Sequence, residues 1–312
     1  MQQKNLYDHI GSNNTRIVGL VLAFPLMLAT TVYLSLLFVY ATNRTNPSAL
    51  AYQDLLNIFP FIALFCFVVC ILSFLFGDKA MLSFSGASPC PDTPEYRKVR
   101  RAVENMALAA GIPCPKVYLI DDSSLNAFAT GYSPEKASVA FTKGIIEKLS
   151  ALELDAVIAH EIAHITNRDI RLNMFVITGI GALGMLGEIL VRSCSGKRRS
   201  KKGNGSVLGV VGLALVFFAY LIAPIIRLAL SRQQEYQADA RGAYLTRNPA
   251  ALASALKKIS QDSRVEILDK ATQMATACIC SPLAQFATLF STHPPIEKRI
   301  ERLNQMASNL YL

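Results

Sequence analysis

Residues 160–164 read His160-Glu161-Ile162-Ala163-His164, an H-E-x-x-H spacing. On a helix, residues four apart share one face, so His160 and His164 can present two imidazole nitrogens to one zinc ion. Glu161 projects beside them, placed to take a proton from water at the metal. Catalytic zinc needs a third protein ligand and an open position. The metzincin pattern would have Gly at 167 and His at 170; here stand Asn167 and Ile170, which excludes that class. A carboxylate is therefore expected, and the candidates are Glu188, Glu235, Glu266, Glu297 and Glu301. Glu188 lies in an apolar segment, where an acid is often functional, and stands as runner-up. Glu235 is the better candidate. It opens Glu235-Tyr236-Gln237-Ala238-Asp239, and Asp239, one helical turn on, could hydrogen-bond the outer nitrogen of a ligand histidine.

These residues need rigid elements behind them. Ser150 and Glu153 form an S-x-x-E capping box that starts a helix over 151–168, one that can fuse with the apolar stretch after it. Apolar positions at Tyr96, Val99, Val103, Met106 and Ala110 predict a helix over 94–110, stopped by Gly111, Pro113 and Pro115. Short β-like runs follow at 116–120, 125–130 and 137–142. Further helices are expected after Asn248-Pro249 and after His293-Pro294-Pro295. The expected class is α+β with helix dominant.

The 312 residues are 52% hydrophobic and 17% charged. That balance excludes a disordered, collagen-like or small disulfide-stapled chain, and the clustering of the apolar residues disfavours an ordinary soluble globule. Residues 17–40 carry no charge and as a helix would span roughly 36 Å, against a bilayer core of about 30 Å. They are too long for a cleaved leader and read as a retained anchor. Residues 58–76 are a second uncharged span, with Pro60 expected in its first turn. Residues 172–191 are a weaker third stretch, interrupted by Glu188, and 207–226 a fourth. The chain so divides into a membrane anchor (1–76), a catalytic part with the H-E-x-x-H helix (77–171), two further apolar segments (172–230) and a C-terminal part bringing the third ligand (231–312).

Much of the net charge of +9 sits in the loop 192–206, in Arg192, Lys197, Arg198, Arg199, Lys201 and Lys202. A nucleic-acid binder would spread a basic face over its folded domain, so no nucleic acid is expected; a solvated or lipid-facing loop fits better. The seven cysteines are odd in number and scattered, which predicts free thiols and a reducing compartment; Cys278 and Cys280 alone are too few for a metal site. Glu235 can join His160 and His164 only if 77–171 and 231–312 lie on one side of the membrane, with two or zero crossings between them. His164 and Glu235 both stand within a few residues of an apolar stretch, so the zinc should lie close to the membrane surface. The positive-inside rule would make 192–206 cytoplasmic and the catalytic parts external if both later stretches cross. The free thiols argue for a cytoplasmic catalytic side, with 172–230 as a shallow hairpin.

The ordered set Asn126-Ala127-Phe128-Ala129-Thr130-Gly131, His160-Glu161-x-x-His164, Glu235-x-x-x-Asp239 and His293-Pro294-Pro295 with Arg299 resembles the HtpX-type membrane zinc endopeptidases, relatives of the CAAX prenyl proteases. The resemblance covers nearly the whole chain; the basic insert at 195–206 departs from it. It implies a membrane-anchored, gluzincin-like peptidase domain with two to four transmembrane helices and one zinc per chain. It implies that His160, His164 and Glu235 bind the zinc, that Glu161 is general base and then acid, and that Asp239 supports a ligand histidine. Residues 126–130 would be an edge strand that pairs with extended substrate, and His293 with Arg299 would steady the oxyanion. The function implied is quality control of misfolded or damaged membrane proteins under heat-shock stress, in a bacterial inner membrane, multi-pass, in association with other quality-control proteases. The competing readings are an inactive membrane scaffold of the same fold, a prenyl-protein processor, and a transporter using Glu188 and Arg227. The complete motif set disfavours the scaffold, four short apolar stretches disfavour a processing chamber, and two large soluble parts disfavour a transporter.

Overall fold

The computed structural model describes residues 6–41, 46–195, 209–216, 234–261 and 296–310. Long uncharged sequence gives two long helices, α1 (Leu6–Ala41) and α2 (Pro47–Phe84). Pro47 occupies the first turn of α2, where its missing N–H costs nothing. The sequence predicts Pro60 in a first turn; because α2 starts at Pro47, Pro60 lies inside the helix instead. Gly77-Asp78-Lys79 does not end α2 either, so the helix runs on past its apolar span to Phe84, just before the sheet. Among the described residues, α2 is the one helix long and apolar enough to cross a membrane; Pro25–Ala41 is a shorter apolar run.

A small sheet follows: β1 (Ala87–Pro89), β2 (Lys116–Ile120), β3 (Ala127–Thr130) and β4 (Ser138–Thr142), in the order β1-β2-β4-β3. β2 and β4 pair in parallel, while β1 and β3 flank them antiparallel. β3 is thus an edge strand, held to β4 in the register Ala127↔Phe141 to Thr130↔Ser138. Gly131, which turns the chain after β3, has φ +129, and a Cβ there would stand 2.6 Å from the Lys136 carbonyl. Both conformation and space require glycine.

The helices around the sheet are α3 (Arg97–Ala110), α4 (Lys143–Lys148), α5 (Ala151–Thr166), α6 (Asp169–Ser195), α7 (209–216), α8 (234–246), α9 (Pro249–Gln261) and α10 (Ile296–Leu310). Gly111 caps α3 in the left-handed region, as its position in the sequence predicts. α5 does not fuse with the apolar stretch behind it: Arg168 adopts φ 61 and α6 starts afresh at Asp169.

α5 is the axis around which the sheet and the later helices pack. One side packs Val157, Ile158, Ile162 and Ile165 against α3 and the sheet. The other packs Ala156 against Ala243 of α8, Leu252 of α9 and Leu303 of α10. A separate apolar cluster joins Leu28, Val32 and Leu36 of α1 to Ile62 and Cys66 of α2 and Leu215 of α7, with Leu186 and Leu190 of α6 against it. Gly187 and Gly212 let α6 and α7 approach closely: a Cβ on either would stand 2.9 Å from the other's carbonyl oxygen. The third apolar stretch thus lies in α6. Of the fourth only 209–216 is described, and most of the basic loop, Cys278 and Cys280 lie outside the described residues.

Candidate metal centre

The capping box predicted from Ser150 and Glu153 is present. The Ser150 hydroxyl accepts from the Glu153 N–H, and the Ser150 N–H donates to the Glu153 carboxylate at 2.8 Å. The same carboxylate accepts from Ser254 at 2.6 Å and Lys258 at 2.7 Å, tying the start of α5 to α9. A second close approach fixes α8: a Cβ on Gly242 would stand 3.1 Å from the backbone nitrogen of His160. Glycine there lets α8 lie against the turn of α5 that bears the histidines, and Glu235 and Asp239 lie earlier on α8.

His160, His164 and Glu235 come together, all three buried, with one donor atom from each within 4.8 Å of the others. The two Nε2 atoms are 3.2 Å apart. The Glu235 carboxylate lies 3.6 Å from each of them. Two nitrogens at about 2.0–2.1 Å from one tetrahedral zinc would be roughly 3.3 Å from each other, so the donor set fits that ion. The outer nitrogens face carboxylates: His160 Nδ1 lies 3.1 Å from Asp239 and His164 Nδ1 3.0 Å from Asp169. Asp169 can accept a hydrogen bond from His164 Nδ1–H, and Asp239 stands as a counter-charge at His160 Nδ1, an arrangement that leaves the Nε2 lone pairs facing the donor cluster.

Arg299 closes the cluster. It reaches in from α10, is 1% exposed, and donates from Nε and Nη2 to the two Asp239 oxygens at 2.8 and 2.7 Å. Its Nη1 lies 2.8 Å from Glu235. Burial alone would push the His160 and His164 pKa values down. Contacts with Asp239 and Glu235 for the first, and with Asp169 for the second, outweigh it and raise both. Burial likewise would raise Asp239 and lower Arg299; their mutual ion pair, with Glu235 on the arginine, reverses both directions.

Glu161 is 6% exposed and sits on α5 directly after His160. Glu188 is on α6, paired with Arg192 at 3.2 Å, and is not in the metal group. Glu297 and Glu301 are exposed on α10, while Glu266 and His293 lie outside the described residues. Asn126 precedes β3 rather than belonging to it, and its backbone N–H donates to the Thr142 hydroxyl at 3.0 Å. Ala127, Phe128, Ala129 and Thr130 form β3, which packs against α5 and α6.

A family model described as peptidase family M48 matches residues 94–307, more than two thirds of the chain. The chain belongs to peptidase family M48. The M48 match takes in the whole donor cluster, from α3 to α10. Among curated relatives, a protease HtpX homolog of Dictyoglomus thermophilum is 44% identical over 231 residues, 74% of this chain and 76% of that protein. A protease HtpX homolog of Bacteroides fragilis is 37% identical over 324 residues, 98% of this chain and 100% of that protein. The resemblance seen in the four ordered motifs therefore extends along nearly the full M48 chain. Sequence reasoning missed Asp169 in this site. Its signal was an acid five residues after His164, just beyond the end of the motif helix.

Proposed function

We propose that this M48 protein is a membrane-bound, zinc-dependent endopeptidase, with zinc held by His160, His164 and Glu235. The observation that carries the reading is the buried three-donor cluster beside Glu161 on α5. When bound, zinc would supply a Lewis acid that polarises a peptide carbonyl and makes water easier to deprotonate. Glu161 takes the proton from the attacking water and returns it to the leaving amine. Asp239 and Asp169 hold the histidine rings in one tautomer. Arg299 holds Asp239 and Glu235 in place by charge, and its role with His293 at the oxyanion is part of the same proposal. β3 offers its outer edge to extended substrate, as β-augmentation requires.

The membrane reading rests on α2, whose surface exposes Phe59, Phe61, Leu64, Phe67 and Val68, and on the apolar packing of α1, α2, α6 and α7. We take two to four crossings, a bacterial inner membrane and a cytoplasmic catalytic side. Phe74, inside the proposed span, touches Tyr132 just after β3, a contact that supports a site close to the membrane surface. Misfolded or damaged membrane proteins, the substrates we propose, would reach β3 from there under stress.

The test is cleavage of an unfolded model protein by the detergent-purified full chain, beside Glu161→Gln and a chelated sample. We expect cleavage by the zinc-loaded wild type alone. Glu161→Gln should keep its zinc and lose about 10²–10⁴ in rate. Undiminished activity in Glu161→Gln would refute the proposed base.

A further inference from the structure

The break between α5 and α6 places three α6 side chains on two different parts of the site. Arg168, at φ 61, turns the chain so that Asp169, fully buried, faces back to His164 Nδ1 at 3.0 Å. Two residues on, Arg171 Nε donates to the Tyr132 carbonyl at 2.9 Å, and its guanidinium lies 4.2 Å from the centre of the Tyr132 ring. The same ring meets Phe74 of α2 edge-on, at 4.1 Å between centroids. One turn further, buried Met174 packs with Met81, Phe128 and Tyr132. Phe128 is the second residue of β3, and Tyr132 follows its turn.

We propose that the first two turns of α6 register the metal site against the substrate strand, with Asp169 positioning His164 and Arg171 positioning β3. The inference rests on the endopeptidase reading above. A neutral imidazole has one N–H and one lone pair. Asp169 accepts the hydrogen bond from Nδ1–H of His164, so Nε2 keeps its lone pair toward His160 and Glu235. Arg171 acts at a different point: it holds the turn after β3 by a carbonyl hydrogen bond and by stacking on Tyr132. Because both residues grow from one helical turn, the distance between the metal ligands and the strand is set by a rigid element rather than by a loop.

The experiment measures zinc affinity of the full chain by competition with a chromophoric chelator, in wild type, Asp169→Asn and Arg171→Met. Wild type should bind one zinc. Asp169→Asn keeps the shape but not the charge and should bind zinc about 10–100-fold more weakly. Arg171→Met should bind zinc as wild type does, yet show a several-fold higher KM for an unfolded model protein with a smaller change in kcat. Thermal unfolding of each metal-free variant reports whether the fold is intact. Should Asp169→Asn not fold, Asp169→Glu, which keeps the charge at a longer reach, replaces it with the same expected loss of affinity. Equal zinc affinity in wild type and the Asp169 variant, or parallel loss of zinc and substrate binding in Arg171→Met, overturns the inference alone. A wild type that takes up no zinc overturns the endopeptidase reading, and this inference with it.

Discussion

α5 and α2 are built to opposite rules. α5 has 16 residues and buries 12 of them, among them Glu153, His160, Glu161 and His164. α2 has 38 residues and buries seven, while Phe61 and Phe67 are 72% and 63% exposed. Charge on α5 is tolerable because partners come to it: Lys258 and Ser254 to Glu153, Asp239 to His160, Asp169 to His164. Apolar surface on α2 is tolerable only where water is absent, since a patch this long would not stay unpaired in solution. One chain is thus fitted to two solvents. α5 needs a protein interior that brings counter-charges to its buried acid and histidines, and α2 needs a surrounding that asks for none. Between them stands β3: Phe74 and Met81 of α2 touch Phe128 in the strand and Tyr132 just after it, and the strand packs on α5.

The sharpest way to break the α5 side is Arg299→Met. It removes a buried guanidinium that Asp239 and Glu235 share and leaves both buried carboxylates without its charge. Breaking a buried pair in this way costs about 3–5 kcal/mol. Denaturant unfolding of the metal-free protein should show a loss of that size, and a loss below about 1 kcal/mol would mean that the carboxylates find another partner. The α2 side breaks differently. Phe67→Lys puts a charge near the middle of the proposed span, at a cost of about 3 kcal/mol on insertion scales. The variant should shift from the membrane to the soluble fraction, or to degradation, while the same change at exposed Tyr244 of α8 should not. Equal membrane recovery of Phe67→Lys would count against α2 as a crossing.

What could be read in advance followed the range of each signal. The capping box, the i, i+4 histidines and the Gly111 stop act within a few residues, and all three stand in the structure where the pattern puts them. Glu235 could be ranked above Glu188 because Asp239 follows it by one turn, and that is the acid whose helix packs on His160 through Gly242. Tertiary effects were not legible. Nothing local marks Arg168 for a left-handed conformation, and without that break Asp169 points nowhere in particular. Nor can spacing show that Arg299, 60 residues from Asp239, forks onto it. β1 and α4 are three and six residues long, too short for a period to register. Pro60 misled for the opposite reason. A proline reads as a helix start, but in a helix this apolar it is carried in the interior.

The mildest test asks whether the polar groups of α5 matter outside the metal cluster. Glu153 is far from the histidines along α5 and holds Lys258, Ser254 and the Ser150 N–H. Burial would raise its pKa, but the bonds from Lys258, Ser254 and Ser150 lower it to about 2. A carboxylate whose folded pKa lies below its unfolded value stabilises the fold fully above the unfolded value, about 4.3, and loses that contribution as pH falls toward 2. Glu153→Gln should therefore cost about 1–2 kcal/mol at neutral pH, since Lys258 is partly exposed and the amide keeps one bond. The gap to wild type should stay constant down to about pH 5 and close below it. A gap that persists unchanged to pH 3 would mean that packing, not the charge on Glu153, ties α5 to α9.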